Sequence, residues 1–196
     1  LRLSKYLEVL FEHFRAIDII PPSPNLSAVI AAMESKTIDA AAVYAAGNDF
    51  DSMLVLQGTS DTDRLPGHLP RTAPANNEYM GSALFSGPRM TGVLTGSETG
   101  LLCLMAGKSG TRISVIDGAQ YKTRLATRAR RKIESDGTLS VSLTLTLTLT
   151  AGEQQRTSGE IAADIERSCA SVLQKLQAAS CDAVGFGRIA VRAYPD

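Results

Sequence analysis

The sequence predicts an α+β fold in which helices pack against antiparallel sheets, and two patterns in the second half of the chain carry this prediction. Residues 139–150 alternate leucine or valine with serine or threonine, which is typical of a strand with one covered face. At about 3.3 Å per residue, such a strand would be about 40 Å long. Residues 159–179 have apolar side chains at helical spacing, which predicts one long helix that covers the long strands. The apolar stripe of this helix consists of Ile161, Ile165, Cys169, Val172, Leu173 and Leu176.

Two further strand patterns precede the alternating strand. Residues 111–116 are rich in β-branched side chains, and residues 121–133 alternate between an apolar side and a basic side. Asp136 and Gly137 then form a strong turn signal. This order predicts an antiparallel hairpin between residues 121–133 and the alternating strand.

Both ends of the long helix also have recognisable signals. Thr157 and Glu160 have the spacing of a capping box, which predicts the start of the helix. Beyond its end, the Gly-Phe-Gly segment at 185–187 predicts a tight turn, in which Asp182 would bind local backbone amides. We expect residues 187–193 to form a short closing strand at a sheet edge.

Helices are predicted at the start of the chain. Residues 3–17 have apolar side chains at helical spacing, and the three prolines at 21, 22 and 24 end this helix. A second helix is predicted over residues 26–34, with Ser23 or Asn25 as its N-cap.

The middle of the chain predicts short elements. The alanine-rich residues 38–46 fit either a helix or a buried strand, and we favour the helix, whereas residues 53–57 predict a short strand. Residues 80–85 and 90–94 are apolar runs joined by a Ser-Gly-Pro-Arg turn, which predicts a hairpin. Residues 101–106 follow as a third apolar run.

Length and composition set the limits of the possible functions. A chain of 196 residues suits one large or two small domains, and we place the boundary between residues 1–109 and 110–196. The formal net charge is zero, so no chain-wide field attracts the protein to nucleic acid or to a membrane. The chain begins with Leu1 rather than Met, which we interpret as a fragment or a processed form.

A basic strip in residues 122–132 is the first candidate for a functional site. Alternation places five cationic side chains on one side of the predicted strand, and Arg131 falls in the same strip. The five are Lys122, Arg124, Arg128, Arg130 and Lys132. One interpretation is a docking face for anionic lipid headgroups or for an acidic partner subunit. The alternative is an ordinary solvated strand face that protects the sheet from edge pairing. A nucleic-acid patch would call for interleaved aromatic side chains, which this strip lacks.

No pattern of residues predicts catalysis or a cofactor. The Gly-Lys-Ser segment at 107–109 resembles the end of a phosphate-binding loop, but the required earlier glycine is Leu102. The two histidines, His13 and His68, have no evident common site. The three cysteines, at 103, 169 and 181, fit neither a disulfide framework nor a zinc site. We therefore predict no catalytic residue, no metal and no cofactor.

Two blocks of the sequence resemble the Ger(x)C family, the C subunits of bacterial spore germinant receptors. The first block spans residues 81–108 and includes Glu98, and the second spans residues 174–196. The resemblance implies that the first block, including the apolar run at 101–106, follows the family's hairpin-and-strand pattern. In the second block, the residues in the family's characteristic positions are Gln174, Asp182, Gly185, Phe186, Gly187 and Pro195. The resemblance covers roughly residues 80–196. It implies structural motif roles for Glu98, Asp182, Gly185, Phe186 and Gly187.

The resemblance also implies a cellular setting. Members of the family are lipoproteins on the outer face of the spore inner membrane, and they act with integral membrane A and B subunits to sense nutrients. The family has no attributed enzymatic activity. The lipid-bearing cysteine and much of the first family domain are absent from this sequence, as is the tryptophan that often follows the terminal proline.

We predict that the protein is a non-catalytic subunit of a nutrient germinant receptor that acts through protein contacts at the spore inner membrane. The alternative is a soluble binding module that senses amino acids or sugars directly. Calorimetry against these nutrients separates the two, because micromolar binding would favour the alternative.

Overall fold

The structure is a computed structural model that describes residues 21, 26–34, 40–46, 63, 65, 78–107, 111–116 and 119–193. The helices are α1 (Leu26–Glu34), α2 (Gly96–Met105), α3 (Ser158–Ala178) and α4 (Phe186–Ala193). The strands are β1 (Ala41–Ala46), β2 (Glu78–Ser86), β3 (Arg89–Leu94), β4 (Thr111–Ile116), β5 (Ala119–Leu125), β6 (Arg130–Ile133), β7 (Leu139–Ser142) and β8 (Leu145–Ala151). Every strand pairing is antiparallel, so the predicted α+β class is confirmed.

The first sheet has the order β1-β2-β3, and the predicted hairpin forms its second and third strands. Helix α2 follows β3 at once, because Thr95 and Glu98 form a capping box that begins the helix. The hydroxyls of Ser82 and Thr99 lie 2.8 Å apart and are fully buried. This hydrogen bond joins β2 to α2 inside the core.

Two predictions in this region are wrong. The alanine-rich segment forms strand β1 rather than a helix, because its backbone pairs along β2. Alanine has the highest intrinsic helix propensity and is uncommon in strands, so the sequence alone favours the helix. The run at 101–106, predicted to continue a strand pattern, lies mostly in α2. This helix is buried on nearly every side, and it therefore lacks the one-sided apolar periodicity of a surface helix.

The second sheet has the order β4-β5-β8, and β6 pairs with β7 beyond it. The predicted strand at 111–116 is confirmed as β4. The predicted turn at Asp136 and Gly137 is also confirmed, and in it Gly137 N donates to Glu134 O at 2.9 Å. The prediction of one unbroken strand over residues 139–150 is wrong. Residues 143–144 separate β7 from β8, and residues 126–129 separate β5 from β6.

The interruption has a simple geometric cause. Between the pairs Leu125↔Leu145 and Arg130↔Ser142, four residues on one strand face only two on the other. Ala126 N still donates to Thr144 O at 2.8 Å, so the two strands remain joined across the irregularity. An excess of residues on one strand bends a hairpin, and this excess divides the long hairpin into two short ladders.

Helix α3 covers the inner face of the long hairpin, as predicted. Ile161 packs with Tyr121 of β5, and Leu145 of β8 packs against the cluster that contains Val172. The capping box is present, with Thr157 N donating to Glu160 Oε2 at 2.8 Å. The inward leucines at the two ends of the hairpin, Leu139 and Leu149, are about 40% exposed. The helix thus covers the centre of the face best.

One core cluster contains residues from both halves of the chain. It joins Leu84 of β2 and Leu102 of α2 to Val172 and Leu176 of α3. An ion pair between Glu98 of α2 and Lys175 of α3 supports the same packing at the surface. The proposed domain boundary after residue 109 stays a prediction.

Several predicted features lie outside the described residues. They are the helix at 3–17, the N-cap at Ser23 or Asn25, the strand at 53–57, and the two histidines, His13 and His68. The helix predicted at 26–34 is confirmed with the same bounds.

The inward orientation of Leu145 gives a direct test of the hairpin register. Leu145→Lys should lower the free energy of unfolding by about 2 kcal/mol, because a cationic group would replace apolar contact with the core. Thr144→Lys is the matched control, since its side chain is exposed. Urea unfolding measures both variants, and equal stabilities would contradict the register.

Candidate functional site

The five predicted cationic side chains lie together on the outer side of the long hairpin. We call them the basic face: Lys122, Arg124, Arg128, Arg130 and Lys132, all of which are exposed. Their neighbours in sequence, such as the buried Tyr121 and Thr123, lie on the inner side. The alternation in sequence is therefore a true division between the two faces of the hairpin.

Hydroxyl side chains run beside the cations on strands β7 and β8. Lys122 pairs with Thr148 and Arg124 with Thr146. Arg130 pairs with Ser142 and Lys132 with Ser140. Partners in antiparallel pairs lie on the same face of a sheet. The outer face thus presents a row of cations next to a row of hydrogen-bonding hydroxyls.

Only one end of the basic face is neutralised within the described part of the chain. Lys132 forms an ion pair with Glu134, and Ser140 donates to the same carboxylate at 3.1 Å. The hydrogen bonds from Lys132 and then Ser140 lower the pKa of Glu134, which is therefore ionised at neutral pH. No side-chain hydrogen bond or ion pair joins Lys122, Arg124, Arg128 or Arg130 to another described residue. The other end of the face therefore keeps its positive charge.

Arg131 does not belong to the basic face, although it lies within the same basic strip of sequence. Its side chain is on the inner side of β6, and Nη1 donates to Val184 O at 2.7 Å. Val184 lies in the turn that joins α3 to α4. Arg131 therefore holds the long hairpin against this turn.

The turn between α3 and α4 is organised by Asp182. Its Oδ1 accepts from Gly185 N and Phe186 N, both at 2.9 Å, and its Oδ2 accepts from Gly187 N at 2.6 Å. The predicted hydrogen bonds from local backbone amides to Asp182 are therefore present. Gly185 has a φ of 89°, a conformation that favours glycine.

The predicted closing strand at 187–193 is wrong, because these residues belong to helix α4. Phe186 and Gly187 begin α4, and their amides have no acceptor within the helix. The Asp182 carboxylate accepts from both, and from the preceding Gly185, so it caps the helix. Phe186, the first residue of the helix, is buried in the core cluster. The cap and this apolar anchor together fix α4 in place.

A pocket of about 420 Å³ opens beside the Asp182 turn. Its apolar lining comes from Leu139, Leu173, Leu176, Val184 and Phe186, and its polar lining from Gln177, Ser180 and Asp182. The lining residues include neither lysine nor arginine. The pocket therefore offers mainly apolar surface, with no cation in its lining to pair with a carboxylate.

Glu98 has two structural contacts. It accepts from Thr95 N at 3.0 Å as part of the capping box of α2, and it forms the ion pair with Lys175. The Thr-x-x-Glu spacing that signals this cap is present in the sequence, but the fold prediction did not use it. Glu98 thus connects the start of α2 to the long helix α3.

The described residues contain no group of three or more histidine, cysteine or acidic side chains that could hold a metal ion. Cys103, Cys169 and Cys181 are each buried in the core. Within the same residues, no helix combines the length and apolar character that crossing a membrane requires.

The fold and these features define an α+β domain with a cationic outer sheet face, a covering helix and a capped C-terminal turn. The family model for the C-terminal domain of B3/GerAC-like spore germination proteins matches residues 80–196. This match covers more than half of the chain, and the chain belongs to this family. The resemblance predicted from the two sequence blocks is confirmed. Neither a curated protein nor a solved structure shows significant similarity to the chain.

Proposed function

We propose that the protein is a non-catalytic subunit of a bacterial spore nutrient germinant receptor. The observation that carries this proposal is the family match, which spans β2 through α4. These elements supply the principal core cluster, the basic face and the capped turn. The match therefore covers several elements that pack together rather than an isolated motif.

The protein would act through contacts with other subunits. The family belongs to spore germination, and we propose the integral membrane A and B subunits of the receptor as the partners of this chain. The proposed location is the outer face of the spore inner membrane, reached through a lipid anchor that lies outside this sequence.

Deletion of the gene in the native spore-forming host tests the proposal. We expect loss of germination in response to particular nutrients, while germination triggered by calcium dipicolinate stays intact because it does not require a nutrient signal. Restoring the wild-type gene should restore the response. Normal germination across a full nutrient panel, in a strain that also lacks its paralogues, would contradict the assignment.

The pocket beside the Asp182 turn bears on a second candidate function, the direct binding of amino acids or sugars. Its size suits a small molecule, but its lining is mainly apolar, whereas these nutrients carry charges or many hydroxyls. Subunit contact therefore remains our proposal. Calorimetry with each nutrient separates the two functions, and micromolar binding that a substitution of the exposed lining residue Gln177, Gln177→Arg, weakens would favour the second.

A further inference from the structure

The basic face is an extended and nearly uniform surface. The partners of Lys122 and Lys132 on the opposing strands, Thr148 and Ser140, are eight residues apart, which corresponds to roughly 25 Å along the hairpin at the rise of a β-strand. The opposite side of the hairpin is covered by α3 through Ile161 and Val172. Among the described residues, no element packs over the outer side, so the cations and hydroxyls face outward together.

The composition of this surface indicates the kind of partner. Specific protein interfaces have a desolvated centre with aromatic or large apolar anchors. Between Lys122 and Lys132, the outward side chains of β5 and β6 and the bend between them are cationic or small. Those of β7 and β8 are serine or threonine, and on the other side of β5 the partners of Arg124 and Lys122 are Thr111 and Ile113 of β4. Cations and hydroxyls make up most of this surface, and such a composition suits a layer of phosphate groups better than a folded acidic protein.

We propose that the basic face binds the plane of anionic phospholipid headgroups. This inference rests on the proposed function only in placing the protein beside a membrane. Lysine and arginine near an anionic bilayer each add to the attraction, and serine and threonine hydroxyls can donate to phosphate oxygens. Because the net charge of the chain is zero, the attraction is local to this face. The hairpin would therefore lie against the membrane, with α3 on the far side.

Vesicle sedimentation with the full chain tests this proposal. The probes are phosphatidylcholine vesicles with and without phosphatidylglycerol. We expect binding only when phosphatidylglycerol is present, and release at high salt, because salt screens charges that are exposed. The test variant combines Arg124→Gln, Arg128→Gln and Arg130→Gln, which are the arginines of the basic face.

The control variant combines Arg89→Gln, Arg188→Gln and Arg192→Gln. These three arginines are also exposed, but they lie on β3 and α4. Both triple variants lose the same formal charge, so any difference between them reports the position of the charge. If each cation contributes about fivefold to membrane partitioning, the test variant should bind about a hundredfold more weakly than the wild type. The control variant should lose far less, and circular dichroism verifies that both variants fold.

Three results would overturn the proposal. They are absence of binding to the anionic vesicles, equal losses in the two triple variants, and binding to polyglutamate that depends on the basic face while vesicle binding does not. The last result would indicate an acidic protein partner. Germination of the deletion strain tests the receptor assignment separately, so a failure of the lipid proposal and a failure of the assignment are distinguishable.

Discussion

Gly81→Ala should lower the free energy of unfolding by on the order of 4 kcal/mol. Gly81 has a φ of 79°, which L-residues with a side chain rarely adopt. A Cβ atom at this position would lie 2.2 Å from the carbonyl oxygen of Leu94. Leu94 is fully buried and pairs with Ser82, so its backbone has no room to retreat. The substitution should therefore disrupt the join between β2, β3 and α2.

Gly87→Ala separates the effect of the clash from the effect of the dihedral angle. Gly87 also has a positive φ, of 56°, but no atom lies within 4 Å of a Cβ built there. Its expected cost is about 1 kcal/mol, from the backbone conformation alone. Urea unfolding of both variants measures the difference. Equal costs would show that the close approach of Gly81 to Leu94 is not present in solution.

Asp182→Ala should lower the free energy of unfolding by about 3 kcal/mol. The substitution removes the acceptor of three backbone hydrogen bonds and leaves the start of α4 without its cap. Phe186, which begins α4, is 8% exposed in the core cluster, so loss of the cap also weakens this apolar anchor. Hydrogen exchange at the amide of Gly187 should accelerate more than exchange in α3, because the cap acts locally.

Two variants make this test specific. Asp182→Asn keeps the acceptor for Gly185 and Phe186, but it sets an amide donor against the Gly187 amide, so its loss should be intermediate. Asp136→Ala removes an exposed turn carboxylate that accepts from the backbone amide of Thr138, and it should destabilise less because this turn holds no buried helix start. If Asp182→Ala were no worse than Asp136→Ala, the turn would not depend on its cap.

The sequence predicts most accurately the helices and strands that have one buried and one exposed face, because their apolar residues then recur at a regular spacing. Helix α3 combines an apolar stripe with the capping box of Thr157 and Glu160, and both signals agree. The basic face followed from alternation alone. The same alternation places Arg131 with the inward residues, so its separation from the other cations could have been predicted. Its bond to Val184 could not, since the two residues are 53 positions apart.

The elements that were predicted wrongly have local patterns that conflict with their tertiary surroundings. In α4, the short apolar run Ile189, Ala190 and Val191 is compatible with a strand, although Arg188 and Arg192 also have the i, i+4 spacing of one helix face. The cap from Asp182 and the burial of Phe186 favour the helix instead. In α2, burial on nearly all sides removes the helical period. The pocket joins Leu139 to α3 and the turn, which no local pattern indicates.

In the long hairpin, the four residues 126–129 face only the two residues 143–144, and this excess limits the changes in length that members of the family can accept at the bend. Because a strand repeats every two residues, an even excess returns each later side chain to its original face. An odd change in residues 126–129 would instead turn Arg130 and Lys132 toward the helix and Arg131 toward the solvent. Insertions and deletions in this bend should therefore be tolerated only when they add or remove an even number of residues. Selection would then act on whether the number of residues in the bend is even or odd.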